Sequence, residues 1–336
     1  MTRVSASLIA SAALLAIAAC SDSTKNVTGP EVPQQPSLNI ETNHGHIHIM
    51  PTRAADAAAF GQAGGARTTN SGIVYHGGPI LYTTNVAAVY WASSPIFTGG
   101  PAVPSSNTAG NSGDASLVGD FLRGLGGSQY FNINTTYYDA TNAHVQNVVT
   151  YTQYWANGTN VPASGASVSD SQMLSMLQSG FADGSLKYDR NTLYAIFTAG
   201  KVNLGGGFGT QYCAYHGSGT ITVNGAAVTV LYAAMPYDYA YSSSCTSGYK
   251  SPNADLGANY EVNTLAHEIE ETTTDQLGNA WFDRRGYENA DKCAWTWGTT
   301  YTTANGGVAN MKIGASDFLV QQNWKNSGSG GCALHL

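Results

Sequence analysis

Charge is scarce in this 336-residue chain: Asp, Glu, Lys and Arg together make up 10% of it, against about 25% in an average soluble protein. Lys and Arg number 14, no basic block occurs, and the net charge is −7. That excludes the electrostatic footprint of a nucleic-acid-binding protein. The apolar run over residues 8–19 is shorter than the ~20 residues a membrane-spanning helix needs. No Gly-x-Ser-x-Gly turn is present to mark a serine hydrolase. The glycine run 205–209 is followed by no Lys-Ser/Thr and lacks a Rossmann spacing, so it reads as a mobile loop before Cys213 and not as a phosphate cradle.

What remains is 43% hydrophobic, with 39 Gly and 20 Tyr, the composition of an exported, loop-rich, β-containing protein. Arg3 followed by the run 8–19 and small residues up to Cys20 has the form of a secretory signal. Its end, Ile17-Ala18-Ala19-Cys20, resembles the bacterial lipobox. The resemblance implies cleavage before Cys20, lipid on that residue, and a protein held at a membrane surface of the bacterial cell envelope. The chain then divides into a signal (1–20), a tether and irregular segment (21–71) with Pro30, Pro33 and Pro36, and one folded domain (72–336). Four cysteines remain in the domain, Cys213, Cys245, Cys293 and Cys332. An even number in an exported chain indicates two disulfides. Three connectivities are possible, and Cys213–Cys245 with Cys293–Cys332 is the simplest.

The densest chemistry lies between residues 265 and 293. His267-Glu268-x-x-Glu271 on a helix puts positions i and i+4 on one face, a turn apart. His267 and Glu271 then face a common centre, and Glu268 beside them can work on a water there. This is the arrangement of the His-Glu-x-x-His zinc hydrolases with a carboxylate in place of the second histidine, a swap zinc accepts. Val262, Leu265, Ala266 and Ile269 supply the buried stripe, Asn259 or Asn263 a cap, and Gly278 a stop. Asp275 is too far along the helix to join them. Glu288 is the expected third metal ligand, with Asp291 or Asp283 orienting it. The plainer alternative pairs Glu288 and Asp291 with Arg284, Arg285 or Lys292. An oxygen-rich calcium site around Glu288 and Asp291 is a further alternative.

Elsewhere, His44-Gly45-His46-Ile47-His48 alternates in the manner of a strand face that can bind metal. A surface strand is the simpler reading. His216 reads as a structural strand histidine. Helical spacing predicts helices from residue 117 to the glycines at 126–127, and from Ser169, where Gln172 completes a capping box. Strands are expected over 86–92, 130–138, 148–155 and 192–198, and Asn224-Gly225 marks a hairpin. The class is α+β, a single domain with a mixed sheet and packed helices, zincin-like around the His267 helix.

With these landmarks placed, the chain resembles the phosphate-induced protein 1 (EXORDIUM-like) family. The carrying pieces are Val74-Tyr75-His76-Gly77-Gly78-Pro79, Val89-Tyr90-Trp91, Phe121-Leu122, Cys213-Ala214-Tyr215-His216, His267-Glu268-x-x-Glu271, Asn279-Ala280-Trp281-Phe282-Asp283, Glu288-x-x-Asp291-x-Cys293 and Phe318-Leu319-Val320-Gln321-x-x-Trp324. The resemblance implies an extracellular or cell-surface protein, associated in plants with growth, and brings no settled biochemical activity.

Two functions follow as expectations. The first is a surface-anchored zinc-dependent hydrolase of metallopeptidase type, with His267, Glu271 and Glu288 on the metal and Glu268 as general base. His216 or Tyr287 would steady the oxyanion. The second is a non-catalytic module binding envelope glycan or protein through aromatic loops at 237–241 and 295–297.

Overall fold

The computed structural model describes residues 38–42, 45–60 and 72–336. The signal, Cys20 and much of the expected tether lie outside these residues. Ordered structure nevertheless begins well before residue 72. Strands β1 (Asn39–Thr42) and β2 (Gly45–Pro51) and helix α1 (Arg53–Phe60) precede it. The segment expected to be irregular thus supplies two strands of the main sheet and an alanine-rich helix.

The strands that follow are β3 (Val74–Tyr75), β4 (Thr84–Trp91), β5 (Ser105–Asn107), β6 (Val149–Asn157), β7 (Thr192–Thr198), β8 (Tyr212–Val223) and β9 (Ala226–Met235). Eight of the nine form one mixed sheet in the order β1-β2-β8-β9-β7-β4-β6-β5. Its centre, β9-β7-β4-β6, is parallel, and β2, β8 and β9 pair antiparallel. The central strands read as unbroken apolar runs because both faces are covered. Every residue of β7 is buried. The β8–β9 hairpin turns at Asn224 and Gly225, both with positive φ (50° and 80°), as a tight Asn-Gly turn requires. The short β3 pairs instead with β10 (Trp281–Phe282).

Three further helices pack on the sheet. Helix α2 (Leu117–Leu125) is capped by Ser116, and α3 (Asp170–Asp183) by the Ser169–Gln172 box. Helix α4 (Leu256–Thr274) is capped by Asp255, whose carboxylate accepts the Ala258 N–H at 3.0 Å. The asparagines expected to cap α4 have other partners. Asn259 bonds Asn253, and Asn263 Oδ1 accepts the Gln321 N–H at 2.8 Å. The helix ends at Thr274, before Gly278. Residues 131–136, expected as strand, form a 3-10 helix. Thr135 and Thr136 donate their hydroxyls to carbonyls three residues back, a local alternative to sheet pairing.

Helix α4 organises one side of the fold. Val262, Leu265, Ala266 and Ile269 are fully buried in the larger core cluster. Each large aliphatic side chain contributes about 1.5–3 kcal/mol by burial. The polar residues of α4 are buried as well, Glu261, His267, Glu268, Glu270 and Glu271 all at 0% exposure. A helix with no wet face must find partners for them inside the protein. The expected disulfides are formed, Cys213–Cys245 and Cys293–Cys332, with Cα separations of 5.4 and 5.6 Å. Two such bonds suit an oxidising, extracellular compartment. Among the described residues no helix is long and apolar enough to cross a membrane.

Candidate metal centre

Helix α4 brings His267 and Glu271 together as the i, i+4 spacing dictates, with Nε2 and Oε1 3.0 Å apart. Glu268 turns towards the sheet, where its Oε2 lies 3.1 Å from His216 Nδ1. His216 sits on β8 directly across from His48 on β2. Cross-strand neighbours share a face, and the two rings lie 5.5 Å apart. The segment after α4 closes the cage. Asp291 Oδ2 is 2.7 Å from His48 Nε2 and its Oδ1 3.5 Å from His267 Nε2. The Asp291 backbone N–H also donates to Glu271 Oε1 at 3.0 Å.

Glu288, expected beside His267 and Glu271, enters from the other side. Its Oε1 is 3.2 Å from His48 Nδ1 and its Oε2 3.9 Å from His216 Nε2. It thus sits behind both strand histidines. Asp291, expected only to orient, is the carboxylate that faces His267. Asp283 does neither. Its Oδ1 accepts the Arg285 and Tyr287 N–H groups and its Oδ2 pairs with Lys292 at 3.2 Å, so it shapes the loop that carries Glu288. Tyr287 packs beneath the Arg285 guanidinium.

The plainer pairing is not what forms. Arg285 and Lys292 pair with Asp283, and among the described residues no Lys or Arg is paired with Glu268, Glu271, Glu288 or Asp291. Three imidazoles and four carboxylates therefore share a space where each is at most 1% exposed. Several of these ligand atoms have no hydrogen-bond partner among the described residues: His216 Nε2, His267 Nε2, Glu268 Oε1, Glu271 Oε2 and both Glu288 oxygens. Such orphans each cost about 1–3 kcal/mol or more if nothing else satisfies them. His267 Nε2 and Glu271 Oε1 are in close contact yet not aligned as a hydrogen bond. That suits two ligands of one ion, which stand roughly 3.3 Å apart on tetrahedral zinc with bonds of about 2.0–2.1 Å.

The electrostatics agree. Burial pushes the Glu268, Glu271 and Glu288 carboxyls upward, and neighbouring carboxylates add to it. Burial and the other imidazoles push His216 down. For His48 and His267 burial opposes the cation, but Asp291 and Glu271 overcome it and both rise. Burial also opposes the charged form of Asp291, and the two imidazoles hold it low.

Neighbours hold the cage in place. The Gln321 amide lies 2.8 Å from His267 Nδ1 and donates to the Ala290 carbonyl at 3.1 Å, so it links α4 to the Asp291 segment. Glu270, next to Glu271 on α4, accepts from Asn134 and Asn323. Burial raises its carboxyl to about 8 in spite of those bonds. Asp275 Oδ1 accepts the Asn279 and Ala280 N–H groups and starts the excursion that returns as Glu288 and Asp291.

A family profile described as the phosphate-induced protein 1 conserved region matches residues 126–321. The chain belongs to the phosphate-induced protein 1 family. No curated protein and no solved structure matches it. The family region holds His216, all of α4, Glu288 and Asp291 and ends on Gln321. His48 comes from outside it. Sequence reasoning found His267, Glu268, Glu271, Glu288 and Asp291 but gave too little weight to His48 and His216. The alternating histidines were the visible signal for His48. Nothing local distinguishes His216, whose place depends on strand pairing.

Proposed function

We propose that this member of the phosphate-induced protein 1 family is an exported metal-dependent hydrolase, anchored at the cell envelope by lipid on Cys20 and acting on peptide bonds. The observation that carries this is the convergence of buried imidazole and carboxylate groups around the His-Glu-x-x-Glu turn of α4. His267, Glu271 and Asp291, with His48, would hold the ion, and Glu288 would orient His48 and His216 from behind. Mixed nitrogen and oxygen donors favour zinc or a similar transition metal over calcium, which prefers oxygen throughout. When bound, such an ion polarises a carbonyl and brings the pKa of a coordinated water towards ~7.

The chain's own groups handle the protons. Glu268 takes one from the attacking water, whose oxygen adds to the substrate carbonyl carbon. That proton then passes to the departing nitrogen as the C–N bond breaks, which leaves an acid and an amine. Glu268→Gln keeps size and hydrogen bonding but cannot accept the proton. The expected result is retained metal with turnover of a casein or peptide panel reduced by about 10²–10⁴-fold, the range of general acid–base catalysis. Undiminished hydrolysis by that variant would refute the mechanism.

A second reading is favoured by the burial itself. Structural metal sites are closed, whereas catalytic ones keep a position open, and every cage residue is covered. On this reading the ion pins β2, β8, α4 and the Asp291 segment together in a non-catalytic surface module. The aromatic loops offer it a limited contact face. Tyr239 is exposed and stacks on Tyr260, but Trp295 is buried with its Nε1 donating to the Pro51 carbonyl. One metal per wild-type chain, no hydrolysis of the panel, and loss of fold on chelation would select this reading.

A further inference from the structure

The cage has more negative charge and more donors than one ion uses, and they fall into two sets. His48, Glu271 and Asp291 form one group whose ligand atoms all lie within 4.8 Å of one another, and His216, Glu268 and Glu271 form another. Glu271 belongs to both. Its Oε1 faces His267 and the Asp291 N–H, and its unpartnered Oε2 lies 3.6 Å from His216 Nδ1 and 3.9 Å from His48 Nε2. Oε2 therefore lies between the strand histidines of the two sets, while Oε1 faces His267 and the Asp291 segment.

Glu288 places a further carboxylate beside the second set. It lies behind both strand histidines, towards His48 Nδ1 and His216 Nε2. With the ring protons on those nitrogens, His48 Nε2 and His216 Nδ1 turn their lone pairs inward. A carboxylate close behind a ligating histidine favours the tautomer that faces the metal; here Glu288 Oε1 lies 3.2 Å from His48 Nδ1, whereas its Oε2, 3.9 Å from His216 Nε2, makes a charge contact and not a hydrogen bond. Glu268 contributes Oε2 towards His216, and its Oε1 is buried without a partner. With all four carboxylates ionised and the imidazoles neutral, as metal ligation requires, the cage would carry four negative charges, which one divalent cation halves and two cancel. An uncompensated buried charge is costly enough that the second cation has a strong electrostatic drive.

We propose that the cage holds two divalent cations sharing Glu271. The first lies among His48, His267, Glu271 and Asp291, and the second among His216, Glu268 and Glu271. This rests on the metal-binding reading above. The second set has fewer donors, so it fills at higher metal concentration. When it fills, Glu268 becomes a ligand and is withdrawn from proton transfer.

The test is a titration of chelator-stripped, full-length protein with zinc, followed by calorimetry and elemental analysis, and with manganese, followed by electron paramagnetic resonance. Two zinc equivalents are expected, the second at least ten-fold weaker. His216→Gln, verified as folded by circular dichroism, should lose only the second. Two bound manganese ions should give an exchange-coupled spectrum instead of the isolated six-line signal. A single equivalent in wild type overturns the second site and leaves the first reading standing, whereas none overturns both. A second equivalent that survives in His216→Gln, with an uncoupled manganese signal, is an adventitious surface ion and also overturns the proposal.

Discussion

Helix α4 carries two groups of buried acids about two turns apart, and they resolve the same problem differently. Near its start, Glu261 meets Asp238, whose backbone N–H donates to Glu261 Oε2 at 3.1 Å and whose Oδ2 accepts the Thr264 hydroxyl. Among the described residues no imidazole takes part in the contacts of that pair. Burial pushes both carboxyls well above their ordinary values, and for Glu261 the Asp238 charge adds to it. Burial therefore favours the neutral, protonated form of this pair. Farther along, Glu268 and Glu271 face His48 and His216 from the sheet and Asp291 from the returning loop. There the imidazoles supply lone pairs that a cation can use, and the orphaned oxygens have somewhere to point. The two groups of buried acids on one helix thus differ in whether histidines stand opposite them, which is what the metal-binding proposal turns on.

The largest test of that contrast removes the Cys293–Cys332 bond, which begins two residues after Asp291. Its 39-residue separation corresponds to about 4 kcal/mol by the chain-entropy relation. The double Cys→Ala variant should lose stability of that order in urea titrations. Its metal affinity should fall, while the pH dependence contributed by Asp238 and Glu261 stays as it was. An unchanged affinity would show that the cage does not depend on the tethered loop.

Chelation comes next. A ligand present at a hundred times its Kd stabilises the native state by about 2.7 kcal/mol. Excess EDTA should therefore lower the thermal midpoint of wild type and leave that of His48→Gln almost unmoved. Equal midpoints for wild type with and without EDTA would count against any resident ion.

The smallest effect belongs to Glu261→Gln. A carboxyl raised in the folded state makes the native protein bind more protons than the unfolded chain. Stability from this pair is thus fully present below the unfolded pKa values near 4 and is lost as pH rises towards the folded ones. The glutamine variant should flatten that decline and gain about 1 kcal/mol at pH 8, the usual size of a single-site effect. An unchanged decline would mean the pair is charged in the native state.

Local signals carried much of the fold. Ser169 and Gln172 wrote their own cap, Asn224-Gly225 its own hairpin, and residues 192–198 their own buried strand, because each depends on neighbours within a few positions. The 131–136 segment misled because β-propensity measures fit to a sheet surface, and here the threonines satisfied the backbone locally. The start of the domain misled more. Strand β2 is short and lies beside residues 212–217 of β8, a pairing no nearby residue announces.

By itself the sequence determined the export-type composition, the four-cysteine framework and the helix that sets His267, Glu268 and Glu271 on adjoining faces, since i, i+4 geometry is fixed by the backbone. Only the tertiary structure decided that His48 and His216 stand across from that helix, that Asp291 faces His267, and that Glu288 lies behind both strand histidines. Those choices come from strand register and from a loop pinned by a disulfide, contacts between segments far apart along the chain, which no local periodicity encodes.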